Sequence, residues 1–317
     1  MNEMREILRV FRNKRILVTG ANGFIGSHLI KALSLHGAEV GAIVRKPTEL
    51  PSVSAIYIGD LKDSAFVHRC VKKCDPQIIF HLAAYKERTP ELSAFLTAID
   101  NNLIGSLHLF AAAKKLRNLC SVIVIGTAEE YGHSDCPFVE NMRESPVNAY
   151  SFSKSCVTLL CDVLHTVHKI PCTIIRPTLA YGPGQDTDMF LPALIDSVIK
   201  NKPFPMTLGE QTRDFVYVSD VVEALLKAVE YEESKGTIIN IGSGHAVKIA
   251  KVAMMVEDLL GKSGLIQIGK LEYREGEIME YVVDNTKARE VLDWKPLVGL
   301  EEGLKHTIEY FVDKLDG

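Results

Sequence analysis

Residues 15–26 read Arg15-Ile-Leu-Val-Thr19, then Gly20-Ala-Asn-Gly-Phe-Ile-Gly26. The first five are a short, apolar, β-branched run, the pattern of a strand buried on both faces. Three glycines at intervals of three then lead into Ser27–His36, where Leu29, Ile30 and Leu33 recur at helical spacing until Gly37 stops the helix. Strand, glycine turn and helix in that order suit a phosphate. Small residues let the backbone bend tightly and approach a pyrophosphate, and the helix start offers free N–H groups and a partial positive charge. The bland alternative is a tight turn without a ligand. The spacing is Gly-x-x-Gly-x-x-Gly, not the more familiar Gly-x-Gly-x-x-Gly.

The same alternation runs outward from this unit. Strands are expected at Glu39–Val44, Ala55–Ile58, Gln77–His81, Ser121–Ile125 and Cys172–Arg176. Helices are expected at Ser64–Lys73, at Phe95–Leu116 as one long element, and at Tyr150–Val167. Apolar strands separated by helices predict an α/β fold, a doubly wound parallel sheet of the Rossmann type. Upstream, Arg5–Phe11 could form a short amphipathic helix with no assigned role. After Tyr181 the rhythm changes. Short strands at Phe215–Val218 and Ile238–Ile241 and helices near 191–200, 221–229, 252–260 and 300–311 suggest a smaller C-terminal α/β unit. The expected division is residues 1–177 for an NAD(P)-binding domain, with a return of roughly 214–241, and 178–317 for a substrate-binding domain.

Composition removes several classes. Across 317 residues, 36 Lys+Arg against 40 Asp+Glu leave a formal charge of −4, so nothing electrostatic invites nucleic acid. No apolar run reaches the ~18–20 residues that span a bilayer, and the charged start lacks a signal-peptide core. The seven cysteines are odd in number and scattered, without a Cys-x-x-Cys pair, so no metal site is expected and a reduced, cytoplasmic setting is.

Tyr150 and Lys154 are four apart at the start of an expected helix and therefore share a face. A nearby ammonium favours a phenolate, which would make Tyr150 an acid/base near neutral pH. Thr127 follows the strand Ser121–Ile125 directly, at the carboxyl end where parallel sheets hold ligands. The second strand ends Val44-Arg45-Lys46 with no carboxylate for a ribose hydroxyl. Arg45 suits a 2′-phosphate, so NADP(H) is favoured and NAD(H) remains possible. Asp60 and Leu61 follow the third strand, placed to meet an adenine.

With these residues in hand, the chain resembles the extended short-chain dehydrogenase/reductases, the NAD(P)-dependent nucleotide-sugar epimerase/dehydratase/reductase family. The resemblance rests on Thr19–Gly26, Asp60-Leu61, His81-Leu-Ala-Ala84, Asn101-Asn102 with Gly105, Thr127 through Gly132, Tyr150/Lys154, Arg176-Pro177, Tyr181-Gly-Pro183, Arg213-Asp-Phe215 with Asp220, and Trp294-Lys-Pro296. It implies cofactor contacts from Gly20, Asn22, Gly23, Phe24, Ile25, Gly26, Arg45, Asp60, Leu61, Leu82, Ala83, Ala84, Lys86, Asn102, Tyr150 and Lys154. It also implies Tyr150 as acid/base, Lys154 on the nicotinamide ribose, Thr127 on the oxygen at sugar C4, and Arg213 and Arg274 on the substrate phosphates. Their bland readings are surface charges or ion pairs, for instance Arg274 with Glu277. A homodimer through Phe95–Leu116 and Tyr150–Val167 is implied as well.

The reaction turns on Gly126-Thr-Ala-Glu-Glu-Tyr-Gly132. Similar dehydratases follow the threonine with two polar or acidic residues; here Ala128 removes the first carboxylate and Glu129 keeps the second. Glu130 would alternate away if the backbone there is extended. Leu179 stands where many epimerases and dehydratases carry Asn. With Arg45, these departures favour NADPH-dependent reduction of a 4-keto-6-deoxy sugar nucleotide. The alternative is a 4-epimerase or 4,6-dehydratase with tightly bound NAD(P), Glu129 being the dehydratase base. A reading of another class, a non-catalytic dinucleotide-binding partner protein, is opposed by the intact Thr127, Tyr150 and Lys154.

Overall fold

β1 (Arg15–Thr19) is buried along almost its whole length, as its apolar run requires. It is an interior strand of a seven-stranded sheet, paired at both edges, with β2 (Glu39–Val44) on one side and β4 (Ile78–His81) on the other. The computed structural model describes residues 10–87, 89, 91–274 and 276–316. The expected Arg5–Phe11 helix falls mostly outside them; Phe11 itself is fully buried against the first core. The sheet order is β10-β6-β5-β4-β1-β2-β3, with β3 at Ala55–Ile58, β5 at Ser121–Ile125, β6 at Cys172–Pro177 and β10 at Ile238–Ile241. Every pairing in it is parallel. Strand order reverses between β1 and β4, the point at which a crevice opens beyond the strand ends.

Two apolar layers cover the sheet. On one face lie α1 (Phe24–Leu35), α7 (Val218–Glu230) and α9 (Thr286–Leu292), with Leu29, Leu33, Val221, Leu225 and Leu292 in one core. On the other lie α2 (Ser64–Cys74), α4 (Gly105–Ala113) and α5 (Ala149–Thr166), which contribute Val67, Val71, Leu109, Phe110, Val157 and Cys161. The expected long helix over Phe95–Leu116 is interrupted. α3 (Leu92–Ala98) passes through a π-helical turn, Ile99–Ile104, before α4 begins. The widened turn carries Asn102, which is buried and clamps the loop after β4. Its side chain accepts from Tyr85 N–H at 2.6 Å and donates to Tyr85 O at 3.0 Å and Ser153 Oγ at 2.8 Å. Such bulges commonly mark functional sites.

The remaining elements form a third core. α6 (Phe190–Ile199), α8 (Ile249–Leu259) and α10 (Leu300–Asp316) pack around Tyr181, Leu194, Phe215, Val252 and Leu304. Of the stretch 214–241, α7 and β10 join the main sheet and its layers, but the first strand does not. β9 (Thr212–Tyr217) pairs with β7 (Leu179–Tyr181) and β11 (Ala246–Lys248) in a separate three-stranded sheet. β8 (Phe204–Pro205) and β12 (Ile266–Gln267) make a short two-stranded pair. No described helix is long and apolar enough to cross a membrane, and all seven cysteines are free thiols.

Candidate active site

The phosphate loop is built by close backbone approach. At Gly26 a Cβ would stand 2.1 Å from Gly20 O, and at Gly20, which has φ +68°, it would stand 2.7 Å from Ala83 N. Side chains at either place would push the loop apart. α1 then begins with Gly23 as its N-cap, with no side-chain cap and no acidic residue in the first turn. The amides of that first turn therefore have no intrahelical acceptor. They belong to Phe24, Ile25 and Gly26, which line the crevice, and they fit an anionic diphosphate.

This crevice is a cleft of about 1110 Å³ at the carboxyl ends of the strands. Its wall contains Gly20, Asn22, Gly23, Phe24, Ile25, Gly26, Arg45, Leu61, Leu82, Ala83, Ala84, Lys86 and Asn102. Across from them stand Thr127, Glu129, Tyr150, Arg213 and Arg274. Two residues of the expected set are not in the wall. Asp60 turns its carboxylate onto the Lys62 N–H at 2.9 Å, fixing the turn after β3. Lys154 is only 3% exposed, and its ammonium donates to the Ile125 carbonyl beneath the floor. Burial pulls its pKa down, opposed by the negative charge of Glu130.

Tyr150 is the second residue of α5, whose N-cap Asn148 accepts the Ser151 N–H at 2.9 Å. Thr127 is the N-cap of a 3-10 turn, Ala128–Tyr131, and its hydroxyl accepts the Glu129 N–H at 3.2 Å. The backbone there is helical, not extended, yet Glu130 still points away from the cleft and is fully buried. Ala128 is also fully buried, packed with Tyr131 and Phe138, so only Glu129 of this turn offers a carboxylate to the cleft.

Arg213 reaches the cleft from β9. It donates to the Thr212 and Ile278 carbonyls, each at 2.8 Å, and pairs with Glu277. Glu277 thus partners Arg213, and its backbone N–H bonds the Arg274 carbonyl at 3.1 Å. Sequence reading missed Tyr281. Its ring lies 5.9 Å from the Arg213 guanidinium, and its phenol stands close to the Thr127 side chain, Glu129 and Tyr150. Burial pushes this phenol well above the ordinary range, so it is neutral at physiological pH. No motif surrounds Tyr281, and nothing in its local sequence signals the site.

Thr178 and Gln185 also line the cleft. Thr178 Oγ1 and Gln185 Oε1 are buried without a hydrogen-bond partner among the described residues, an arrangement that native interiors rarely leave unless a ligand or water completes it. Among the described residues no three His, Cys, Asp or Glu side chains gather to hold a metal ion.

Other proteins match the chain along nearly its whole length. The chain is 32% identical to a UDP-N-acetyl-alpha-D-glucosaminuronate decarboxylase of Bacillus cytotoxicus over 94% of its length and 98% of the relative's. It is 28% identical to the dTDP-glucose 4,6-dehydratase of Salmonella typhimurium, covering 94% and 92%. It superimposes with a TM-score of 0.85, at 30% identity over 94% and 99%, on a UDP-glucuronic acid 4-epimerase from Bacillus cereus solved with UDP-glucuronic acid and NAD. A family model described as the NAD dependent epimerase/dehydratase family matches residues 16–242, from the second residue of β1 to just past β10. The glycine loop at the strand reversal is therefore that of an extended short-chain dehydrogenase/reductase, and the chain belongs to the NAD dependent epimerase/dehydratase family.

Proposed function

We propose that the protein oxidises C4 of a nucleoside-diphosphate hexose with a nicotinamide dinucleotide that stays bound, and returns the hydride within the same active site, as a 4-epimerase. The observation carrying this reading is one cleft that joins an anion-binding glycine loop to Thr127, Tyr150 and two arginines. A bound nicotinamide supplies the acceptance and return of hydride. Tyr150 takes the proton of the C4 hydroxyl and later gives one back. Thr127 hydrogen-bonds that oxygen, with the Tyr281 phenol beside it. Lys154 lies four residues from Tyr150 on the same face of α5, where its protonated form favours the Tyr150 phenolate through space. Arg213 and Arg274 bind the diphosphate, Arg213 exchanging Glu277 for it. Residues 1–177 with α7 and β10 hold the cofactor, and the third core supplies the sugar-nucleotide side.

The decarboxylase, dehydratase and epimerase relatives support this alternative better than NADPH-dependent reduction of a ketosugar, which the sequence alone favoured. The 4,6-dehydratase reading keeps one supporting observation, the Glu129 carboxylate in the cleft. The cofactor is NAD(H), as in the epimerase neighbour's complex; Arg45 in the wall is the feature that would admit NADP(H). Two copies associate through α3 and α5, where Leu92, Leu96, Leu159 and Val163 are 83%, 73%, 59% and 49% exposed. Apolar side chains this exposed on adjacent helices suit a partner surface.

The test is incubation of the purified protein with UDP- and dTDP-linked hexoses, followed by NMR of the sugar. Interconversion at C4 without net cofactor change is expected. Net consumption of added NADPH with a 4-keto-6-deoxy sugar nucleotide would restore the reductase reading. Glu129→Gln separates the other two: an epimerase keeps much of its rate, while a dehydratase loses C5 proton exchange.

A further inference from the structure

We propose that Glu130 is a positioning residue for this reaction: its buried carboxylate fixes the strand end bearing Thr127 against the helix bearing Tyr150 and Lys154. The proposal rests on the functional reading above for which groups react, and on geometry for the rest.

Both carboxylate oxygens of Glu130 are committed. Oε1 accepts the Thr127 N–H at 3.0 Å. Oε2 accepts the Thr158 hydroxyl at 2.7 Å and two N–H groups of Arg176, Nε at 3.1 Å and Nη2 at 2.7 Å. Thr158 stands four residues beyond Lys154 and eight beyond Tyr150, so all three lie along one face of α5. Arg176, fully buried on β6, donates also to Glu144 at 2.6 Å and lies 4.7 Å over the Tyr131 ring. The Tyr131 hydroxyl in turn donates to Asn240 Oδ1 on β10 at 2.8 Å. One carboxylate thus joins the 3-10 turn, α5 and β6, the three elements that converge behind the reacting side chains.

The chain makes room for this. At Gly126 a Cβ would stand 2.9 Å from Glu130 Oε1 and 2.9 Å from Arg176 Cγ. Glycine between β5 and Thr127 therefore lets the ion pair enter beneath the threonine. Stability is a poor explanation of the pair, because a buried ion pair can often be replaced by apolar residues at no cost to the fold. Geometry is a better one, because displacement of a reacting group by about 1 Å can cost ~10²-fold in rate.

The test compares Glu130→Ala, Glu130→Gln and the double variant Glu130→Val/Arg176→Met, which removes both fully buried charges together; Glu144, which then loses its Arg176 contact, keeps a solvent-accessible side chain and so leaves the fold accessible. Single-turnover reduction of bound NAD by UDP-glucose or dTDP-glucose is followed at 340 nm, with NAD affinity measured separately. The expected result is a loss of about 100-fold in hydride transfer for the Ala and double variants, with NAD affinity unchanged within about twofold. Gln should recover at least about tenfold over Ala, since it retains an acceptor for the Thr127 N–H. A wild-type rate in the double variant would overturn the proposal. A second readout needs no turnover: the Thr127 methyl and the Tyr150 Cζ, assigned through Thr127→Ser and Tyr150→Phe, should shift in the NMR spectrum of the folded double variant. If neither moves, positioning by Glu130 is refuted. If the wild type reduces no bound NAD with any sugar nucleotide, the functional reading fails and these two signals alone decide the role of Glu130.

Discussion

Acidification from pH 7 to pH 5 should cost the folded protein about 2 kcal/mol through His81 alone. His81 ends β4 and is 3% exposed. Its Nδ1 lies 2.7 Å from Thr19 Oγ1 and its Nε2 lies 2.7 Å from Ser106 Oγ. The neighbours dictate the tautomer. The Ser106 hydroxyl donates to the Asn102 carbonyl, so Ser106 Oγ must accept from His81 Nε2–H. Thr19 Oγ1 accepts the Ala83 N–H at 3.2 Å, and its own proton goes to Nδ1. A second proton on the ring would displace that donor inside a dry core. Burial, and next the Lys154 charge, hold the pKa down at about 3.

The sign follows from the depressed value. Between an unfolded pKa of ~6.5 and the folded value of about 3, only the unfolded chain takes up the proton, so stability is complete above the upper limit and falls as pH drops through this window. At pH 5 the chain is ~1.5 units below the unfolded pKa, and at ~1.36 kcal/mol per unit the loss is about 2 kcal/mol. Urea unfolding of wild type and His81→Asn at pH 7.5 and pH 5 isolates it. His36, whose pKa burial also lowers, is common to both proteins and cancels. Wild type should lose about 2 kcal/mol more than the variant on acidification; an equal loss in the two would refute the directed chain Thr19–His81–Ser106.

Gly26→Ala should abolish NAD binding by calorimetry while leaving the fold, since the new Cβ would stand 2.1 Å from Gly20 O and must open the phosphate loop; retention of wild-type affinity would show that the loop does not hold the cofactor. Leu96→Glu combined with Leu159→Glu should convert a sedimenting dimer to a monomer with its tyrosine reaction intact. A wild type that sediments as a monomer would sink the proposed helix-face association.

What could be read along the chain was set by local rules. The run Arg15–Thr19, the glycines that follow and the apolar repeat to Leu33 specify strand, turn and helix without help from distant residues. Repetition of that unit then leaves a parallel sheet as the arrangement that buries every strand. The π turn at Ile99–Ile104 was not legible, because the sequence there is ordinary helix; it widens where Asn102 meets Tyr85 and Ser153, partners that only the folded sheet brings near. β9 likewise reads as a strand, but which sheet it joins depended on β7 and β11 being its neighbours.

The same boundary runs through the site. Residue type and spacing pointed to Thr127, Tyr150 and Lys154, because four residues of helix put two side chains on one face and a strand end exposes the third. Tyr281 against Thr127, Arg213 on Glu277 and Glu130 on Arg176 were decided by tertiary structure alone. Each joins segments far apart in the chain, and whether a side chain meets its partner, solvent or an apolar wall is settled by what packs across from it. Periodicity encodes which face a residue takes; it carries no record of what that face will meet.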